Sequence, residues 1–238
     1  FDQCIGAVDG THICISSSLG EHGIMCNCKG FLSHNCLFIC NINFWFTYAL
    51  CGWDGSMADA ALWHDACEHD LHIPEGRYLL ADASFGTCDA LLVSYWGVHY
   101  HLKEWQQSVN FRPWNAEELF NLHHAALCNV VKCIFGILKQ QWRILQVAPE
   151  YNMTVQAQIP AALCALHNFI QQYNPDKFDV EYDGDLLEND DDVAWGQLAE
   201  GPASPAERRH ADNHHDQIAQ EMWVDYLREL TVRGLQLP

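Results

Sequence analysis

The sequence predicts an α/β protein built on a mixed sheet, three antiparallel strands followed by a parallel one, flanked by helices and trailed by an acidic C-terminal tail. Three observations predict it. Three apolar runs fall within the first 51 residues, separated by polar or turn-forming stretches. A helical pattern then precedes the short apolar run Tyr78–Ala81, and a long segment with a continuous apolar stripe follows at helical spacing.

The first strand, Cys4 to Ile15, is apolar apart from a central aspartate, Asp9. A carboxylate in a buried-strand pattern needs a partner or a metal. The dipeptide Asp9-Gly10 between alternating apolar residues is equally a hairpin signal, and the strand alone does not choose between them. Cys36–Cys40 and Phe44–Cys51 are the next two runs, with Asn41-Ile42-Asn43 supplying the turn between them.

A helix then opens at Ser56 and carries Leu62, Trp63, Ala66 and Cys67 on one face. Ser56 followed three residues later by Asp59 reads as a capping box. Pro74-Glu75-Gly76 breaks the chain before the strand Tyr78–Ala81, which ends on a second acid, Asp82. A strand reached through a helix is usually a crossover, parallel to the first strand and beside it. That adjacency would bring Asp9 and Asp82 together as a paired-carboxylate metal site.

In the segment from Ser84 to Trp114, His99 and His101 alternate on an extended piece and receive no role. Asn115 caps a long helix from Ala116, with Glu117 and Glu118 in the first turn where the dipole favours them. Leu127, Val131, Ile134, Leu138, Trp142 and Leu145 form its stripe, and Pro149 ends it. A second helix runs from about Thr154 to Tyr173, kinked at Pro160. The domain organisation read from these elements is a domain over 1–173, a flexible acidic linker over 174–205, and an amphipathic helix over 206–238. Ile218, Met222, Trp223, Tyr226 and Leu230 lie at helical spacing in that last piece, which reads as a docking helix or as a contact for a protein partner.

Composition limits the functions. The formal net charge is −19, with 7 Lys+Arg against 15 Asp+Glu in residues 1–175 and 5 against 16 in residues 176–238. Affinity for duplex DNA comes largely from neutralising phosphates with Lys and Arg, so neither part offers a basic surface. All twelve cysteines lie between Cys4 and Cys164 without a Cys-x-x-Cys pair, the pattern of reduced, buried thiols. Cys26-Asn27-Cys28 with His22 and His34 fits no zinc spacing. The reading is of a chain with no membrane span and no signal peptide. The chain begins inside a strand pattern and so reads as a piece of a longer gene product.

Gly6-Ala7-Val8-Asp9-Gly10-Thr11-His12-Ile13, Lys29-Gly30-Phe31-Leu32-Ser33-His34-Asn35, Gly52-Trp53-Asp54-Gly55-Ser56, Leu80-Ala81-Asp82-Ala83 and Ala165-Leu166-His167-Asn168-Phe169 occur in that order. Together they resemble the DDE endonuclease domain of the Harbinger (PIF) transposases and their domesticated relatives. The resemblance implies an RNase H-like fold, a DNA substrate, a nuclear location and a divalent cation, Mg or Mn. It makes Asp9 and Asp82 catalytic metal ligands and Asp59 a further candidate ligand.

It also exposes a departure. The family's third acid is a glutamate in an Asn-Val-Ile-Glu-Arg-x-Phe-Gly pattern on the long helix. The matching run here is Asn129-Val130-Val131-Lys132-Cys133-Ile134-Phe135-Gly136, with Lys132 at the glutamate position and Cys133 at the arginine position. An ammonium on the helix rim would offset the repulsion between two aspartates, but it cannot activate water as a metal does. The expectation is a transposase-derived nuclease domain that has lost cleavage. Its alternatives are a metal-dependent endonuclease in which Asp59 makes up the deficit, a non-catalytic DNA- or protein-binding module or translated element remnant, and a structural protein with a recruiting acidic tail.

Overall fold

The computed structural model describes residues 1–16, 26–27, 30–98, 112–174 and 203–235. Among these, five strands form one sheet: β1 (Cys4–Cys14), β2 (Ser33–Cys40), β3 (Phe46–Asp54), β4 (Tyr78–Ala81) and β5 (Leu91–Val93). The sheet order is β3-β2-β1-β4-β5. The β1–β2 and β2–β3 pairs are antiparallel and β4–β5 is parallel, so the sheet is mixed. The helices are α1 (Asp59–His69), α2 (Ala116–Gln141), α3 (Met153–Tyr173) and α4 (Pro205–Val232), with one 3-10 turn at Arg143–Leu145. His22, Cys28, His99, His101 and residues 175–202 of the expected linker lie outside the described residues.

The chain divides into two units. One comprises Phe1–Ile5, Ile73–Asn129 and Leu198–Pro238, the other Gly6–His72 and Val130–Gln197. Both β1 and α2 run from one into the other.

In the second unit, all eight residues of β2 are buried, as expected of a strand covered on both faces. Phe38 of β2 meets Phe46 at 5.6 Å and Phe135 of α2 at 5.5 Å. Helix α3 lies against β3 because Gly52, at φ 96°, leaves room for it: a Cβ there would stand 2.9 Å from that of Ala157. The Ala165–Phe169 motif fastens the same helix. The Asn168 amide bonds both backbone groups of Phe46, accepting from its N–H at 3.0 Å and donating to its carbonyl at 2.7 Å. His167 Nε2 lies 3.0 Å from the Phe44 carbonyl oxygen. The turn before β3 is held by Asn41, whose side-chain oxygen accepts from the N–H groups of Asn43 and Trp45.

Helix α1 departs from the expected capping box. Its N-cap is Ala58, with no side-chain cap bond, and Asp59 is its first helical residue. Asp59 lies in the first turn, and its Oδ1 accepts from Asn35 Nδ2 at 2.7 Å.

In the first unit, every residue of β4 and β5 is buried. The Tyr78 N–H reaches the Gln3 carbonyl at 3.4 Å, and Phe1 packs on Phe120 at 5.4 Å. Strand β5 was not among the sequence expectations, since Leu91-Leu92-Val93 is too short to show a period. Asn115 caps α2 as expected, accepting from the Glu118 N–H at 2.8 Å while Glu118 accepts from that of Trp114. This helix ends at Gln141, well before Pro149, and the 3-10 turn takes up part of the difference. By length and composition alone it could cross a membrane, which corrects the expectation that no stretch could. Its apolar side is instead used inside the protein, through Phe120, Val131, Ile134 and Leu138.

Helix α4 starts on a Ser204 cap, with Pro205 in its first turn. Its buried line is Ala211, His215, Ala219 and Leu230, while Ile218, Met222, Trp223 and Tyr226 are half-buried beside it. The expected stripe is thus displaced round the helix by one position, because small residues and a histidine permit the closest approach.

Candidate functional site

Asp9 lies in the middle of β1, opposite Phe38 of β2, and is only 9% exposed. This excludes the hairpin tip. One of its oxygens accepts from the Gly10 N–H at 2.9 Å. Successive side chains of a strand point to opposite faces, so Ala7, Asp9 and Thr11 share a face with Cys36, Phe38 and Cys40, their antiparallel partners. Burial, with the charge of Asp9 and then Cys133 of α2 adding to it, pushes the Cys40 thiol up to about 12. The Phe38–Phe135 contact is made on this same face. The C-terminal half of α2, which carries Lys132 and Cys133, is therefore the element that covers Asp9.

Asp59 occupies the other face. A Cβ on Gly10 would fall into the Asp59 carboxylate, so the absence of a side chain at residue 10 is what admits it. Asn35 shares that face and donates to Asp59 Oδ1 and to the Met57 carbonyl, at 2.7 and 2.9 Å. Asp59 thus packs against Gly10, the neighbour of Asp9, but on the opposite face of β1.

Asp82 belongs to the first unit and follows β4 directly. Its Oδ1 accepts from the Ser84 N–H at 2.8 Å and from the Ser84 hydroxyl. Its charge reaches His124 of α2, a buried histidine whose Nε2 lies 3.0 Å from the Leu92 carbonyl oxygen. Burial holds His124 down to about 4, against the opposing pull of Leu92 and Asp82. His215 of α4 stacks on Tyr95 at 3.9 Å and meets Phe120 edge-on at 4.3 Å. Burial again dominates, and with His124 and His214 it holds His215 down to about 4 against Asp216. Tyr95 donates to Asp216 at 2.8 Å. Neither histidine was among the sequence candidates. The available signal was that His124 falls three residues before Leu127, on the line of the apolar stripe, where a polar side chain is costly unless partnered.

Divalent-metal chemistry on a phosphodiester holds two ions roughly 3.5–4 Å apart, and that charge calls for clustered carboxylates. Among the described residues there is no group of three or more His, Cys, Asp or Glu side chains able to hold a metal ion. Asp59 stands across the pleat from Asp9, and residue 132, where the resemblance expects the third acid, is a lysine. The donor set does not fit a two-ion centre.

Comparison with known proteins follows the same lines. The family model described as DDE superfamily endonuclease matches residues 8–168, which include Asp9, Asp59, Asp82 and Lys132. The chain is similar to proteins named "Putative nuclease HARBI1": 29% identical over 182 residues to that of Rattus norvegicus, and 26% identical over 179 residues to those of Homo sapiens and Bos taurus. Each alignment covers 72% of this chain and 47% of the relative, so the chain spans about half the length of the curated relatives it matches. No solved structure matches.

Proposed function

Since the chain belongs to the DDE superfamily endonuclease family, we propose that it is a transposase-derived nuclease domain that keeps the family's frame and has lost the charge needed for cleavage. The observation that carries this is Lys132 in the run Asn129–Gly136. The α2 segment bearing it covers the face of β1 from which Asp9 projects, which supports the pairing of the two positions. In this reading Asp9 and Asp82 are the retained catalytic pair of an RNase H-like domain. Lys132 neutralises part of their mutual repulsion in place of a cation. A magnesium or manganese ion, where bound, would supply Lewis-acid and water-activating chemistry. Asp9 and Asp82 are the residues left to hold it, which makes for weak binding.

The substrate by kinship is DNA and the place of action the nucleus. The body of the chain holds more acids than bases, so any affinity for duplex must draw on a basic surface supplied elsewhere. A non-catalytic DNA- or protein-binding role, or persistence as a translated remnant, follows from the same loss.

The deciding comparison is wild type against Lys132→Glu, with magnesium and manganese binding read by calorimetry and nicking read on supercoiled plasmid. The expected result is weak or no binding and no nicking by wild type, with binding gained by Lys132→Glu. Nicking by wild type that disappears in Asp9→Asn would overturn the proposed loss of activity and restore an active endonuclease.

A further inference from the structure

The α3 helix carries no Asp, Glu, Lys or Arg from Met153 to Tyr173. Its inner face is accounted for: Gln156, Pro160, Cys164 and His167 are buried within its own unit. Its outer face is not polar. Val155, Ile159, Ala162, Leu166, Phe169 and Tyr173 follow one another at spacings of four, three, four, three and four. All are exposed except Ile159, which is half-buried, and Phe169 and Tyr173 are 59% and 69% exposed. An unbroken alternation of three and four is the seam of a coiled coil, which calls for a helix as its complement.

Three features identify that helix. A phosphate backbone or an anionic bilayer surface would require Lys or Arg along the flanks, and there are none. A foreign charged helix would be met by opposite charges beside the seam, and those are absent too. The third feature is the seam's own symmetry. Laid antiparallel on a copy of itself and centred near Cys164, it sets Val155 against Tyr173, Ile159 against Phe169 and Ala162 against Leu166. A smaller side chain faces a larger one in every layer. The flanking positions then pair Gln158 with Gln172 and Ala165 with itself, and all three are exposed. The opposite flank, Gln156, Leu163 and Ile170, is buried or half-buried against the helix's own unit, and the match of small against large along the seam is what selects the antiparallel arrangement. The uncharged seam also lets two chains of formal charge −19 meet without bringing like charges face to face.

We propose that α3 is a two-fold antiparallel docking helix whose occupant is a second copy of this chain. The seam is about 27 Å long at 1.5 Å per residue. An interface of that length is modest, and the association is concentration-dependent.

Sedimentation velocity on the whole chain from about 1 to about 100 μM should show a monomer passing into a dimer. Leu166→Asp with Phe169→Asp should weaken that association about thirtyfold or more, with an unchanged far-ultraviolet circular dichroism spectrum. Gln158→Lys with Gln172→Glu should strengthen it, whereas Gln158→Glu with Gln172→Glu should weaken it. A wild-type chain that stays monomeric throughout overturns the proposal, the seam then belonging to another segment or partner. So does a dimer that ignores the double aspartate variant, or two charge variants that behave alike.

Discussion

Asn168 serves Phe46 as a neighbouring strand would, filling both a backbone donor and an acceptor with one amide. Asn168→Ala leaves both without that partner and should cost about 2–3 kcal/mol in urea unfolding. Gly10 and Asp59 form a steric pair, so Gly10→Ala should destabilise the fold and Asp59→Ala should recover part of the loss. The double-mutant cycle should therefore be non-additive. His215 sets a pH dependence. Its folded value of about 4 lies below the ordinary 6.5 of the unfolded chain, so between those limits the unfolded state takes up a proton that the folded state refuses. Stability is complete above about 6.5 and falls by about 2–3 kcal/mol as pH drops toward 4. His215→Phe, which keeps an aromatic ring against Tyr95, should reduce that slope in melting curves taken from pH 7 to pH 5, the remainder coming from His124. Asp9 was legible in the sequence as an acid inside an apolar strand, and Asp82 as an acid directly after one. His215 was not, because its reason for burial is a stack on Tyr95, more than a hundred residues away along the chain.

Among the elements, the antiparallel opening, the cap on α2 and the break before β4 were readable because each is written locally in alternation, an asparagine or a proline. The capping box at Ser56 was equally local in its writing but the helix begins two residues later, on Ala58, with the Asp59 carboxylate accepting from Asn35 of β2. Strand β5 failed for want of length. The α2 helix illustrates how composition misleads: a helix apolar enough for a bilayer is used here as an interior helix, with Asn121 bonded to both backbone groups of Tyr95 at 2.8 and 3.1 Å. Asn121→Leu should therefore raise the helix's apolarity yet lower the protein's stability by about 1–3 kcal/mol, read by chemical unfolding, because it leaves those groups of Tyr95 without the amide.

Across the whole molecule, the division into two units does not follow the order of the sequence. The first unit is assembled from Phe1–Ile5, Ile73–Asn129 and Leu198–Pro238, and α4 supplies His215 to the Tyr95 and Phe120 rings. Removing residues 203–238 should speed amide hydrogen exchange in β4 and β5 and leave that of β2 unchanged. A ribosome adds about 5–20 residues each second. For much of its synthesis, then, the chain carries the ring of Phe120 and the face of Tyr95 uncovered by the helix that will close over them. The interval is an opening for chaperones, and for misassembly between nascent chains, that a protein with sequentially contiguous units would not present.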